Sequence, residues 1–94
     1  MNQKVTVIGA GRMGSALAAT LHNRGFDTTA WNRTSSKTES LARLGIRVAP
    51  SLLEAVGAAE IVFVNVNNYE STHQLIRQPA IESALRGKVL ALPP

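Results

Sequence analysis

Gly9, Gly11 and Gly14 stand in the spacing G-x-G-x-x-G directly behind the β-branched run Val5-Thr6-Val7-Ile8. Helical periodicity begins inside the motif, with Met13, Leu17, Thr20 and Leu21 expected on one face. A strand that passes through a glycine turn into a helix leaves few folds open to a chain. In that setting each glycine has its own task. Gly9 permits the tight turn, Gly11 leaves room for a pyrophosphate to approach the backbone, and Gly14 lets the helix pack on its strand. Ala10, Arg12 and Met13 complete the loop, whose N–H groups at the helix start would face the phosphate charge. A glycine-rich packing turn without a ligand accounts for the same spacing and stays open at this point.

Downstream the pattern repeats. Thr28 to Trp31 reads as a strand, Ser36 to Leu44 as a helix opened by a Ser36 and Glu39 capping box, and Ile46 to Ala49 as a short strand stopped by Pro50. Ser51 and Glu54 form a second capping box, opening about two helical turns that close at Gly57. Gly25, Gly45, Gly57 and Gly87 each follow a helical segment, where glycine supplies a left-handed cap. The run Ile61 to Val66 is almost wholly apolar, which suits a strand covered on both faces and hence a parallel sheet flanked by helices. Asn67 and Asn68 make a turn, Asn68 caps a helix to about Ile76, Pro79 opens another through Leu85, and Lys88 to Leu92 forms a fifth strand. This alternation predicts the α/β class: a Rossmann-type doubly wound parallel sheet of about five strands in order 3-2-1-4-5, with the ligand crevice between strands 1 and 4. The fifth strand would present an open edge suited to a second copy, so a homodimer is a further expectation.

At 94 residues there is room for one domain, so residues 1–94 read as a single NAD(P)-binding unit and not as a two-domain enzyme. With 45% hydrophobic and 17% charged residues the chain is too apolar for disorder, and its charges are too scattered for a membrane span. The net charge of +4 suits an anionic ligand. Its ten Lys and Arg form no block, however, and aromatics are only 4%, which argues against a nucleic-acid partner. The absence of cysteine excludes a disulfide framework, a thiolate metal site and a thiol nucleophile. No apolar stretch of signal-peptide length opens the chain, so a cytoplasmic location is expected.

The end of the second strand distinguishes between cofactors. A domain that holds NAD places Asp or Glu there to accept from the ribose 2′-hydroxyl. Here the residues are Trp31-Asn32-Arg33-Thr34, with Lys37 following and Asp27 back at the strand's start. A 2′-phosphate fits that chemistry: the Arg33 fork, the Lys37 ammonium, the Thr34 or Ser35 hydroxyls and the next helix start can share its charge. Two charge-assisted contacts of about 1.5–3 kcal/mol each would favour NADPH over NADH by roughly 100-fold or more. The missing carboxylate also counts against FAD and S-adenosylmethionine. A solvated basic helix start is the alternative at these positions.

Together these segments resemble the N-terminal cofactor domain of NADP-dependent imine reductases, within the β-hydroxyacid and 6-phosphogluconate dehydrogenase superfamily. The resemblance covers the whole chain. It is carried by Val7-Ile8-Gly9-Ala10-Gly11-Arg12-Met13-Gly14, by Trp31-Asn32-Arg33-Thr34 with Lys37, and by the apolar strand running into Asn68-Tyr69. Asn68 departs from the acidic residue usual there, and Ala91-Leu92-Pro93-Pro94 departs from the usual polar ending of the fifth strand. The resemblance implies an NADP-dependent oxidoreductase, moving hydride from NADPH to the C=N or C=O bond of a small imine or hydroxyacid-type molecule. It implies that Asn32, Arg33, Thr34 and Lys37 bind the 2′-phosphate, and that Val66, Asn67 and Asn68 lie along the cofactor toward the nicotinamide ribose. A turn with a helix cap explains Asn67 and Asn68 equally. It implies too that a helical substrate and dimerisation domain, with the catalytic acid, lies outside these residues, so that this chain alone turns nothing over. A stand-alone NADPH-binding or sensing module and a 3-hydroxyacid dehydrogenase cofactor domain are the alternatives.

Other polar residues point to no further chemistry. His22 and His73 fall on different expected helices without paired acids, Ser15 and Tyr69 read equally as packing, and Glu54, Glu60, Glu70 and Glu82 are spaced as caps and helix surfaces. No catalytic residue and no metal site is expected within the chain.

Overall fold

Alternate residues of the first strand, β1 (Lys4–Ile8), face opposite sides of the sheet, and in the computed structural model both sides are covered. The structure describes residues 3–65, 74 and 77–91, excepting the side chains of residues 35 and 37. After β1 come α1 (Arg12–Asn23), β2 (Asp27–Trp31), a 3-10 turn (Ser35–Thr38), α2 (Glu39–Arg43) and β3 (Arg47–Val48). Then follow α3 (Leu52–Gly57), β4 (Ile61–Val64), α4 (Pro79–Leu85) and β5 (Val89–Ala91). The strands form one parallel sheet in the order β3-β2-β1-β4-β5, an order that right-handed crossovers allow. Ile8 stands opposite Trp31 of β2 and Val64 of β4, so the three central strands end level.

Val7, Ala30 and Phe63 turn toward α1 and α2, where they meet Ala18 and Leu41. Ile8, Val62 and Val64 turn the other way, onto Leu52 and Val56 of α3 and Ile81 of α4. Each fully buried Val or Ile contributes about 1.5–3 kcal/mol. That burial, not intrinsic propensity, holds α2 and α3, which are too short to persist alone. Thr6 shares the Ile8 side, and its buried hydroxyl donates to the Ala55 carbonyl of α3 at 2.7 Å, so this polar atom in the core has a partner.

Several local expectations shift. On α1 the buried face runs through Gly14 and Ala18 with Leu17 and Leu21 beside them, while Met13 is 74% exposed and Thr20 also faces outward. The helix is turned toward its smallest residues because they allow the closest approach to the sheet. The Ser36 and Glu39 capping box is replaced by the 3-10 turn, and α2 starts at Glu39 behind Thr38. Ser51 does cap α3, its hydroxyl accepting the Glu54 N–H at 3.1 Å. Gly25, Gly45 and Gly87 take positive φ after their helices, but Gly57 is the last residue of α3 and does not. In β4 the burial alternates, with Val62 and Val64 buried and Ile61 and Phe63 half-buried, so cover is fuller on one face than on the other. β5 lies at a sheet edge with Val89 exposed. Apart from Gln74, the helix expected from Asn68 to about Ile76 lies outside the described residues, as do Leu92, Pro93 and Pro94. Among the described residues no helix is long and apolar enough to cross a membrane.

Candidate functional site

The chain leaves β1 through Gly9, whose φ of +102° lies in the region that glycine alone enters cheaply. Its N–H still reaches the Trp31 carbonyl at 2.7 Å, and on the other side the Asn65 N–H reaches the Ile8 carbonyl at 2.7 Å. The turn therefore rises between the ends of β2 and β4. The winding reverses there, and in such sheets this is where ligands lie.

Gly14 and Gly11 have opposite reasons for being glycine. A Cβ on Gly14 would sit 2.0 Å from the Gly9 carbonyl oxygen and 2.9 Å from its carbon, both backbone atoms with no room to retreat. Gly14 thus serves the contact between α1 and β1. Gly14→Ala is expected to destabilise by about 1–3 kcal/mol, a fall in Tm on the order of 10 °C for a domain of this size. Thermal unfolding followed by circular dichroism checks this, and an unchanged Tm contradicts it. Gly11, at the N-cap of α1, has φ −70° and ψ −170°, extended backbone that any residue adopts, and a Cβ there meets nothing within 4 Å among the described residues.

No side chain caps α1 and no acidic residue stands in its first turn. The Ser15 N–H bonds the Gly11 carbonyl at 2.8 Å. The N–H groups of Gly11, Arg12, Met13 and Gly14 have no partner among the described residues. Ala10 differs. Its N–H donates to Asn32 Oδ1 at 2.8 Å, and its carbonyl accepts from Ser15 Oγ at 2.9 Å. Asn32 Nδ2 in turn donates to the Thr34 carbonyl at 3.0 Å.

Beside this loop opens a cleft of about 480 Å³, lined by Ala10, Gly11, Arg12, Ser15, Ser36, Glu39, Ser40 and Arg43. Arg12, Arg33 and Thr34 are exposed. No ion pair engages Arg12, Arg33 or Arg43 among the described residues. Asp27 sits at the far end of β2 from Asn32. Loop 9–14 and residues 32–34 are thus brought together as expected. The Lys37 side chain, Val66, Asn67, Asn68 and Tyr69 lie outside the described residues. Sequence reasoning passed over Ser40 and Arg43 and read Ser36 as a cap. Their spacing, one helical turn at a time, is the signal that would have found them. A larger cleft, about 590 Å³, lies at the starts of the strands against Lys4, His22, Asp27 and Arg47. It is bordered by the end of α1 and not by a helix start, so it lacks the row of N–H groups that marks the glycine loop.

Sheet order and loop together define a dinucleotide-binding Rossmann domain. Residues 4–92 match the family described as the NAD binding domain of 6-phosphogluconate dehydrogenase, and the chain belongs to that family. The imine reductase from Myxococcus stipitatus in complex with NADP+ is 47% identical, with a TM-score of 0.92 over 95% of this chain and 31% of that one. Its V8 variant in complex with NAD+ is 42% identical, with a TM-score of 0.94 over 98% of this chain and 32% of that one. The NADPH-dependent reductive aminase of Aspergillus oryzae is 31% identical over 99% of this chain and 28% of its own length. The chain therefore spans 28% to 32% of the length of these relatives.

Proposed function

We propose that this chain holds NADP(H) for an oxidoreductase that reduces the C=N bond of a small imine, or a C=O bond. The observation that carries this reading is Gly11, which neither its backbone angles nor any described protein atom requires to be glycine, next to N–H groups that have no partner among the described residues. A pyrophosphate would use both the space and the donors. The cofactor supplies the hydride when bound, and the residues of this chain bind and orient it. Gly9 and Gly14 shape the loop, and Gly11, Arg12 and Met13 line the phosphates. Arg33 and Thr34, with Lys37, would surround the 2′-phosphate at the end of β2, where no carboxylate stands to accept from a 2′-hydroxyl. Val66, Asn67 and Asn68 would follow the nicotinamide half.

One relative is in complex with NADP+, another is NADPH-dependent and a variant is in complex with NAD+, so the relatives support a nicotinamide dinucleotide and the preference for NADP(H) rests on the residues at the end of β2. In the complete enzyme of this reading, residues 1–94 are the cofactor domain. The catalytic acid, the substrate pocket and the homodimer contacts are supplied from elsewhere, in a cytoplasmic setting.

Thermal unfolding with added nucleotide tests the reading. A ligand that binds only the folded chain at 100 times its Kd stabilises by about 2.7 kcal/mol, which raises Tm by roughly 10–20 °C in a domain of this size. NADH at that same concentration, bound about 100-fold more weakly, adds about 0.4 kcal/mol. Equal shifts would remove the NADP preference, and no shift with either would remove nucleotide binding.

A further inference from the structure

Asn32 stands at the end of β2, in the segment assigned above to the 2′-phosphate, yet its side chain is engaged with the protein. Its Oδ1 accepts the Ala10 N–H at 2.8 Å, and its Nδ2 donates to the Thr34 carbonyl at 3.0 Å. The other side of Ala10 is held as well, its carbonyl accepting from Ser15 Oγ at 2.9 Å. The residue between the first two glycines is therefore pinned at both of its peptide groups. One of those pins runs directly into the segment that carries Arg33.

We propose that Asn32 is a positioning residue that locks the pyrophosphate loop to the 2′-phosphate segment, and is not itself a ligand for either phosphate. The inference deepens the NADP(H) reading and rests on it. By taking up the Ala10 N–H, Asn32 sets the donor row to begin at Gly11. By holding the Thr34 carbonyl, it fixes the backbone on which Arg33 and Thr34 are carried. Gly9 is held by the Trp31 carbonyl and by Gly14, but the loop beyond it runs on through Gly11, so without this clasp residues 10–11 would have to be ordered by the ligand, at a cost to affinity. The cost falls on every ligand that uses the loop, with or without a 2′-phosphate. A direct contact from Asn32 to the 2′-phosphate would burden NADPH alone.

Asn32→Ala separates these cases. The expected result is a loss of affinity of roughly tenfold for both NADPH and NADH, with their Kd ratio unchanged. Hydrogen exchange at the Ala10 amide should accelerate by tenfold or more, while the Val5 and Val7 amides of β1 stay protected. Asn32→Asp keeps the acceptor and should restore slow exchange at Ala10, so the clasp remains testable should the alanine variant fold poorly. A loss confined to NADPH would make Asn32 a ligand and overturn the proposal. Unchanged affinities with a fast Ala10 amide would make the clasp merely structural, and a slow Ala10 amide in Asn32→Ala would show that the clasp is not there; both overturn it. If the unaltered chain binds neither nucleotide, the NADP(H) reading fails and this role with it, yet the exchange contrast between the two variants still reports the clasp itself.

Discussion

Gly11→Val abolishes binding of NADPH and NADH and leaves the domain folded. The fold tolerates the change because Gly11 has ordinary extended angles and open space where its Cβ would stand. Valine at an N-cap is poor, a cost of about 1 kcal/mol, which lowers Tm by several degrees and no more. Binding fails because two branched methyl groups occupy the volume that phosphate oxygens need to reach the N–H groups of Arg12 and Met13. Losing two charge-assisted hydrogen bonds of about 1.5–3 kcal/mol each weakens binding by about 100-fold to 10,000-fold or more. Calorimetric titration beside a circular dichroism melt measures both halves. Retained affinity would mean that nothing occupies the space at Gly11, and an unfolded variant would mean that the glycine serves the fold. Gly14→Ala is the internal control, since there the destabilisation comes from the Gly9 carbonyl and not from a ligand.

The second large effect is selective. Arg33→Ala combined with Lys37→Ala weakens NADPH by about 100-fold or more and leaves NADH nearly unchanged. Arg33 is exposed and has no ion-pair partner among the described residues, so its removal breaks nothing inside the protein. The lost energy belongs to the 2′-phosphate, whose charge NADH lacks. Added salt should weaken NADPH more steeply than NADH in the unaltered chain, because screening acts on the extra phosphate. In the double variant that difference should vanish. Equal weakening of both nucleotides would sink the assignment of these side chains to the 2′-phosphate.

The fold was legible in the sequence where local chemistry and packing agree. Val5 to Ile8, the glycine turn and the Ser51 cap each act over a few residues, and each formed as expected. Strand order is the one that right-handed crossovers favour in a sheet whose first strand runs into a glycine loop. The face of α1 was harder to read because apolar periodicity favours Met13, whereas the distance to the sheet is set by Gly14 and Ala18. Ser36 and Glu39 had the spacing of a capping box, but the segment after Thr34 tightens into a 3-10 turn first. In the site, the place of the glycines at the end of β1 and of Arg33 just beyond β2 was legible because the strand, turn and helix pattern is local. The clasp from Asn32 to Ala10 was not, since it joins residues 22 apart in sequence and depends on two loops that meet only once the sheet has formed. Ser15 was open for a different, local reason: a hydroxyl on a helix start gives no sign of which carbonyl it will find.

On the proposed reading this domain recognises a dinucleotide through the glycine loop and selects it by the 2′-phosphate. Isothermal titration of the unaltered chain with NADPH, NADH and 2′,5′-ADP at low salt tests it most directly. NADPH is expected to bind about 100-fold more tightly than NADH, with 2′,5′-ADP competing for the same site. NADH binding as tightly as NADPH, or a folded chain that binds none of the three, would contradict it.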